Sequence, residues 1–375
     1  MAEDNLTAGV RVPSCRYDRR CKIKGEVDLI SSLPDVILQH ILCFIPTKLA
    51  ITTCLLSRRW RYVWCDTPSL SFINGSTLNA ALYYKTQDRY TAPKMMDLNI
   101  RAREIHHIPQ LNSWIELAMS RNVENMSLKI VANLLDKYDI PEFFYINTSV
   151  KQLTFEFYYA NMIPIRSVSW ISLKKLSLRC CSLSDESLAK FLSGCPVLES
   201  LTLHLCDELR VLDLSKWLRL RTLHVVRNLS GPDPMQIVAP HIHRLILRNS
   251  QFPCTLVDVS SLRSFVGKHI DRHLDSLDSN PDQCLQRSKD IFRNKSRWDV
   301  ESKHLASFME LLLENTKRLE KMIVHLEDRY LKARDFKRLV RTLSHKNDWG
   351  NHRVSTIVFS TKPKTSDEWA IIGFR

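Results

Sequence analysis

The stretch DLISSLPDVILQHILCFIPTKLAITTCLLSRRWRYVW, residues 28–64, decides how the rest of the chain is interpreted. It places a large apolar surface in a segment that is too short to bury it, because small chains bury a small fraction of their surface when they fold. Part of this surface must therefore pack against something else. The sequence predicts that another polypeptide covers it.

Local signals divide this stretch into three short helices. Ser32 is placed to cap the first helix, and Pro46 ends it. Thr47 and Ser57 are placed to cap a second and a third helix. The apolar residues of the first helix cover more than half of its circumference, so the set is predicted to be apolar on several faces. These residues are Leu33, Ile37, Leu38, Ile41, Leu42, Phe44 and Ile45.

Four short motifs in this stretch carry a resemblance to a known family. They are Leu33-Pro34-Asp35, Ile41-Leu42, Pro46-Thr47-Lys48 and the run from Leu55 to Trp64. Together they closely resemble the F-box of plant F-box proteins that also carry leucine-rich repeats and an FBD region. In that family the F-box docks on a Skp-type adaptor, which tethers a cullin-based ubiquitin ligase, while the rest of the chain selects a protein substrate. The resemblance therefore implies a substrate receptor without catalytic residues.

The resemblance also implies which residues contact the adaptor. Two positions depart from the family pattern, because acidic residues often stand where this chain has Val36 and Leu49. Both departures leave the apolar frame intact. Sequence alone does not divide the matching positions between adaptor contact and internal packing, and the alternative is a helical set that simply caps the next domain. The predicted adaptor contacts are Leu33, Pro34, Ile37, Leu38, Leu55, Ser57 and Trp60.

A second pattern, LxxLxL, recurs along the chain. It appears as VENMSL at 123–128, LESLTL at 198–203 and LEKMIV at 319–324. Variants lie between these copies at spacings of about 20 to 27 residues, the period of leucine-rich repeats. The last two apolar residues of each frame are two apart, so both point inward from one parallel strand. Stacked units of this kind share a continuous core and present a concave sheet.

Each of the three copies follows an amphipathic helix that ends at a residue able to adopt a left-handed turn. These residues are Asn122, Gly194 and Asn315. The middle helix is the best specified, with Ser184 as its cap and a buried stripe of Leu188, Phe191 and Leu192. We expect substrate recognition on the concave strand face, where polar residues alternate with buried ones. The candidate residues are Thr154, Ser177, Thr202, Asp213 and His224.

The chain is therefore predicted to be an α/β protein in which a three-helix F-box precedes a leucine-rich-repeat solenoid with parallel strands. A C-terminal helix-strand block, which resembles the FBD region, would cap the exposed end of the solenoid. The predicted limits are 1–28 for a disordered basic tail, 29–72 for the F-box, 73–94 for a linker or irregular first repeat, 95–270 for the repeats, 271–299 for a polar loop, 300–360 for the FBD-like cap and 361–375 for a tail.

Composition bounds the class of protein and its partners. Of 375 residues, 44% are hydrophobic and 25% are charged, which is typical of soluble globular chains. No secretory signal or membrane span is recognised, so the 11 cysteines are expected to be reduced and the chain nuclear or cytoplasmic, or both. The net charge of +14 favours acidic partners but does not choose between nucleic acid and an acidic protein.

The sequence lacks the common motifs for catalysis and cofactor binding. The eight glycines form neither GxGxxG nor GxxxxGK, and HExxH, GxSxG and HRD do not occur. We therefore expect no catalytic residues, cofactor or metal. His241 and His243 would share a face if both lay on a strand, and both could then reach a metal, but no third ligand is apparent nearby and the favoured interpretation is that they are ordinary residues of the turn that enters a strand. Nucleic-acid binding would need exposed aromatics beside basic residues, and Phe155 and Phe157 fit the repeat frame as buried residues. The remaining alternative is a repeat scaffold that binds acidic proteins without serving a ligase.

Overall fold

The computed structural model describes residues 29–30, 32–72, 90–102, 108–130, 140–157, 167–206, 208–227, 235–248, 254–268, 308, 312, 316, 318–326, 356–361 and 370–374. Three short helices come first, α1 at Asp35–Leu42, α2 at Thr47–Thr52 and α3 at Trp60–Val63. Single 3-10 turns follow α2 and α3, at Thr53–Leu55 and Trp64–Asp66. The helices enclose a small core of their own, formed by Leu38, Leu42, Ala50, Trp60, Val63, Trp64 and Cys65.

The predicted caps of the three helices are wrong. The Ser32 hydroxyl donates to the Leu29 carbonyl, 2.7 Å away, and the Thr47 hydroxyl accepts from the Ser71 amide, also at 2.7 Å. Ser57 lies in a turn before α3.

Proline and local backbone conformation explain why these caps are not used. Pro34 and Pro46 precede α1 and α2 as extended residues, and neither helix has a side-chain cap. The fixed φ of proline sets the direction in which each helix starts. Arg59, which precedes α3, is already helical, so that helix offers no extended position for a capping serine.

A 12-stranded sheet forms the body of the molecule. Its order is β1-β2-β3-β4-β5-β6-β8-β10-β12-β13-β14-β15, and every neighbouring pair is parallel except β14 with β15. The strands are β1 Ser69–Phe72, β2 Asp97–Ala102, β3 Asn125–Ile130, β4 Gln152–Phe157, β5 Lys175–Arg179, β6 Ser200–His204, β8 Thr222–Val226, β10 Arg244–Arg248, β12 Ser264–Lys268, β13 Lys321–Leu326, β14 Thr356–Thr361 and β15 Ala370–Phe374.

The middle of the chain also forms a second, three-stranded parallel sheet. It has the order β11-β9-β7, from β7 at Val211–Asp213, β9 at Met235–Val238 and β11 at Cys254–Asp258. The chain therefore alternates between the two sheets from β6 to β12. Leu209 precedes the short strand β7 of this second sheet.

The inward alternation of the LxxLxL frame is confirmed. In β6 the side chains of Leu201 and Leu203 are buried, whereas the alternating residues Ser200, Thr202 and His204 are half-buried. Leu198, before the strand, is buried too. The same alternation is present in β3, β5 and β10. One continuous hydrophobic core runs from Leu70 in β1 to Val324 in β13.

Backbone hydrogen bonds outside the strands extend the stacking. The amide of Lys151 donates to the carbonyl of Glu124, Lys174 to Lys151, and Glu199 to Lys174, at 2.7 to 2.8 Å. Each donor lies just before a strand, and each acceptor occupies the equivalent place one repeat earlier. The same contact recurs with Arg221, His243, Arg263 and Glu320 as donors. These bonds fix each repeat against the previous one.

Two further helices pack against the core, α4 at Ile108–Ser120 and α5 at Asp185–Ser193. The predicted cap of α5 is confirmed, because the Ser184 hydroxyl accepts from the Ser187 amide at 3.2 Å. Asn122, which follows α4, has the predicted left-handed backbone, with φ of 52°.

Gly194 does not adopt the predicted left-handed turn, since its φ is −84°. A close approach explains the glycine instead, because an added Cβ would lie 2.3 Å from the Val168 carbonyl oxygen. Asn315, the third predicted turn residue, lies outside the described residues.

The C-terminal strands β13 and β14 continue the large sheet in parallel, and β15, which the sequence left unassigned, closes it as an antiparallel strand. Phe308 and Leu312 are helical and buried. The assignment of this block to an FBD region, like the predicted domain limits, stays a prediction.

Gly194→Ala should destabilise the protein by about 1 to 3 kcal/mol, because the new methyl group would overlap the Val168 backbone and force it to move. Urea denaturation of the full chain measures this loss. Ser193→Ala, on the exposed neighbour, is the control and should change the free energy of unfolding by less than about 0.5 kcal/mol. Equal stability of the Gly194→Ala variant and the unchanged protein would contradict the close approach.

Candidate functional site

The first helix is apolar on two faces. Leu38 and Leu42 point into the small core. Ile37, Ile41 and Phe44 follow at i, i+4 and i+7, which places them on a different side. Their exposed fractions are 45%, 43% and 77%, so the side chains of this second face lie largely in water.

Other large apolar residues of the three-helix segment are also exposed. Leu55 is 85% exposed, the highest value among the large hydrophobic residues of the described chain. Burying such a side chain is worth about 1.5 to 3 kcal/mol relative to leaving it in water. We call the exposed aliphatic and phenylalanine side chains between Asp35 and Asp66 the apolar set. Its members are Val36, Ile37, Ile41, Phe44, Leu49, Leu55 and Leu56.

The structure divides the seven predicted adaptor contacts. Pro34, Ile37, Leu55 and Ser57 are exposed. Leu33 is half-buried and packs against the small core.

The structure corrects the prediction that Leu38 and Trp60 contact the adaptor. Their side chains are 0% and 5% exposed and form the small core, so neither is free to contact a partner. Val36, Ile41, Phe44, Leu49 and Leu56 are exposed as well, although they are not among the predicted adaptor contacts. For Ile41 and Phe44, the width of the apolar stripe on the first helix was the signal that could have found them.

An arginine holds the start of α1 in place. The Arg59 guanidinium donates to the Asp35 carboxylate through Nε at 2.9 Å and through Nη2 at 2.7 Å. The same group also donates to the Leu33 carbonyl. These contacts connect the first turn of α1 to the turn before α3. They therefore fix the relative position of the helices that carry the apolar set.

The outward positions of the large sheet form a second candidate surface. The register pairs Thr154 with Ser177, Ser177 with Thr202, and Thr202 with His224, on four successive strands of the sheet. All four are half-buried. Four of the five predicted substrate residues therefore lie side by side in one row, which we call the polar row. Their contact with a substrate stays a prediction.

Asp213 does not belong to this surface, which corrects its placement on the concave strand face. It lies on β7 of the second sheet, where its carboxylate accepts from the Ser215 amide at 2.9 Å. Hydrogen bonds from Ser215 hold the pKa of Asp213 below its usual range. The carboxylate stabilises a local turn instead.

A charged row runs beside the polar row on the same face. The register aligns Lys129, Glu156, Arg179, His204, Val226 and Arg248 on successive strands. Glu156 is buried and forms ion pairs with Lys129 and, at 3.8 Å, with Arg179. Arg248 lies four strands farther along the sheet, away from this carboxylate.

Burial and the charges of this face lower the pKa of His224. Burial lowers its pKa to about 4, and the positive charges of nearby Arg248, His204, Arg179 and Arg244 lower it in the same direction. The imidazole is therefore neutral at physiological pH. Its Nε2 atom is buried and has no hydrogen-bond partner in the described part of the chain.

Several buried cysteines behave as small core residues. Burial raises the pKa of the Cys195 thiol to about 12 and that of the Cys254 thiol to about 11. Both are protonated at neutral pH, which makes them weak nucleophiles and weak metal ligands.

No group of three or more potential metal ligands comes together among the described residues. Over the same residues, no helix has the length and apolar character needed to span a membrane.

His224 should make the protein less stable as the pH falls from 7 to 5. The unfolded chain takes up a proton near pH 6.5, whereas the folded protein resists protonation until about pH 4, so protons favour the unfolded state in this window. Since the side chain is partly exposed, we expect a loss of about 1 kcal/mol. Urea denaturation at both pH values measures it. His224→Asn should remove this part of the pH dependence, and the control His241→Asn should keep it; identical pH profiles for the His224→Asn variant and the unchanged protein would contradict the assignment.

Comparison with known proteins gives two family matches. Residues 30–72 match the F-box domain, and residues 90–274 match the At1g61320/AtMIF1 LRR domain. The first match covers the three helices with the apolar set. The second covers β2 to β12, with both candidate rows.

Relatives in Arabidopsis thaliana carry the same combination. The F-box/LRR-repeat protein At3g18150 is 42% identical over 470 aligned residues, which cover 97% of this chain and 100% of that protein. F-box/LRR-repeat protein 25 is 46% identical over 68% of this chain and 98% of its own length. F-box/LRR-repeat protein At3g03360 is 54% identical over 64% of this chain, which spans about half of that protein, 51%. The chain therefore belongs to the family of F-box/LRR-repeat proteins.

Proposed function

We propose that this chain is the substrate-recognition subunit of a Skp-cullin-F-box ubiquitin ligase. The F-box would bind a Skp-type adaptor and, through it, a cullin, and the repeats would bind a protein substrate. F-box/LRR families are generally non-catalytic, and they act through protein interactions. In this proposal the chain positions a substrate for a reaction that other subunits perform.

The exposure of the apolar set is the observation that carries the proposal. A helical segment that only capped the solenoid would turn its apolar residues toward the first strand. Here contact with the solenoid uses other groups, since the Ser71 amide of β1 donates to Thr47 and the Thr91 amide donates to the Cys65 carbonyl at 3.0 Å. Phe44 and Leu55 remain in water. Large exposed apolar residues of this kind mark protein-protein contact sites.

Val36 and Leu49 support a partner that is apolar at the contact. Both stand where the family often has acidic residues, and they are 72% and 52% exposed. Each therefore adds apolar surface to the set, and each removes a charge that could pair with a basic residue of the adaptor. We infer that adaptor binding by this chain depends more on apolar burial, and less on salt, than binding by a family member with acids at both positions.

The polar row supports the second half of the proposal. Its side chains lie on a rigid sheet, and such outward positions of a solenoid form extended binding surfaces. Phe155 and Phe157 are 0% and 1% exposed, so these aromatics offer no stacking platform for nucleic-acid bases. Protein is therefore the favoured partner of this face. A nuclear or cytoplasmic location is part of the same proposal.

Phe44→Ala combined with Leu55→Ala should weaken binding to a purified Skp-type adaptor by about 2 kcal/mol or more, close to 30-fold in Kd, because two exposed side chains would lose their burial in the complex. Isothermal titration calorimetry with the full chain measures the affinity. Since both side chains are exposed, thermal unfolding should be unchanged.

Leu218→Ala is the matched control, because Leu218 is 62% exposed but lies on the solenoid. Its adaptor affinity should equal that of the unchanged protein. An unaltered Kd for the Phe44→Ala, Leu55→Ala double variant would contradict the proposal that the apolar set binds the adaptor. The chain would then be a repeat scaffold that does not serve a ligase.

A further inference from the structure

We propose that the outward face of the large sheet binds an acidic segment of the protein substrate at β8 and β10, through a cationic site formed by His224, Arg244 and Arg248. This inference rests on the proposed function for the identity of the ligand as a substrate. The binding itself is independent of the adaptor.

The register of β8 and β10 brings these three side chains together. Thr222 pairs with Arg244 and Val226 pairs with Arg248, so His224 stands between the two arginine positions on the neighbouring strand. Adjacent strands lie about 4.8 Å apart, and residues two apart on a strand share one face. The two guanidinium groups and the imidazole therefore face the same space from two strands. His204 and Arg179 lie in the charged row on the next two strands of the sheet, β6 and β5.

Ion pairs compensate the charges of this face at β3 to β5. Glu156 on β4 pairs with Lys129 on β3 and Arg179 on β5, which neutralises much of the charge there. In the part of the chain that the structure describes, neither Arg244 nor Arg248 forms an ion pair with an acidic residue. The positive charge of Arg244 and Arg248 is therefore not compensated by an ion pair with an acidic residue, and it attracts an anion to β8 and β10.

Two buried nitrogen atoms point to a missing partner. His224 Nε2 and Arg248 Nε are shielded from solvent, and neither has a hydrogen-bond partner in the described residues. A buried polar atom without a partner costs about 1 to 3 kcal/mol. An anion seated between the arginines would supply an acceptor for Arg248 Nε. The guanidinium group is planar and presents several donors in a fork, so it suits a carboxylate or a phosphate oxygen pair.

The shape of the surface favours an extended peptide as the carrier of that anion. The polar row supplies hydroxyl groups from Thr154, Ser177 and Thr202 on three successive strands that lead up to His224. A segment that crosses four strands covers about 15 Å, or four to five extended residues. Its hydroxyl-facing part would be neutral and polar, and its acidic side chains would lie over β8 and β10. The net charge of +14 adds a long-range attraction for such a segment.

Binding should also take up a proton. Burial and the surrounding cations hold the pKa of His224 at about 4, and an anion placed beside the ring would raise it. Affinity should therefore increase as the pH falls from 7.5 to 5.5, a range in which glutamate carboxylates stay ionised. The groups that set this response are Arg179, His204, Arg244 and Arg248.

The test uses the full chain and a fluorescein-labelled eight-residue peptide that alternates glutamate with serine, with fluorescence anisotropy as the readout. Arg244→Gln combined with Arg248→Gln should weaken binding at least about tenfold, since two charge-assisted contacts are lost. Arg61→Gln combined with Arg219→Gln removes the same charge from exposed positions outside the site and should change the Kd by less than about twofold. His224→Gln should flatten the rise in affinity toward pH 5.5.

Equal losses in the two double variants would overturn the proposal, because net charge alone would then explain binding. So would a single-stranded oligonucleotide that binds through Arg244 and Arg248 while the acidic peptide does not bind at all. A peptide that carries phosphoserine in place of glutamate distinguishes a phosphate site from a carboxylate site, and either ligand supports the anionic segment. Adaptor affinity measured on the same Arg244→Gln, Arg248→Gln protein separates failure of this site from failure of the proposed function.

Discussion

The parallel stacking of inward-pointing apolar pairs is the interaction on which the rest of the structure depends. A single LxxLxL strand, such as the one with Leu201 and Leu203, leaves both side chains in water if it stands alone. Burial in a shared core is worth about 1.5 to 3 kcal/mol for each side chain, so neighbouring repeats must pack together. The backbone ladder then fixes the register, and with it the outward positions. The polar and charged rows are aligned because the apolar side chains of the core behind them are aligned in the same register.

The N-terminal helices follow a different rule. Their own core contains Leu38 and Trp60, and the solenoid begins at β1 without covering the other apolar faces. The apolar set is consequently a cluster of the described residues where the burial of large apolar side chains is incomplete. In the proposed complex a partner protein buries these side chains. The contacts of Arg59 with Asp35 fix the start of α1 relative to α3 before the partner binds. The substrate face is built in the opposite way, with half-buried polar groups on a rigid sheet.

Patterns that repeat were predictable from the sequence, and features that depend on neighbours in space were not. The inward leucines and the Ser184 cap follow from local spacing, and both are confirmed. The caps proposed at Ser32 and Thr47 failed because prolines precede those helices and other backbone groups bind the hydroxyls, the nearby Leu29 carbonyl for Ser32 and the distant Ser71 amide for Thr47. Leu38 matches an F-box position, but only packing could show that it faces the core.

The second sheet explains the remaining differences. Its strands alternate with those of the large sheet, and nothing in the spacing of the leucines distinguishes Asp213 on β7 from a residue of the large sheet. The cationic site was equally hidden, because Arg244, Arg248 and His224 belong to two strands that only the register brings together. Single residues of the polar row could be named from alternation, whereas their alignment needed the structure.

The central claim is that another polypeptide covers the apolar set. Hydroxyl-radical footprinting of the full chain, read by mass spectrometry with and without a purified Skp-type adaptor, tests this claim directly. The account predicts strong protection of Phe44, Leu49 and Leu55 in the complex, with unchanged labelling of Leu218 on the solenoid, because all four side chains are exposed in the free chain. Equal labelling of the first three residues with and without the adaptor would contradict it.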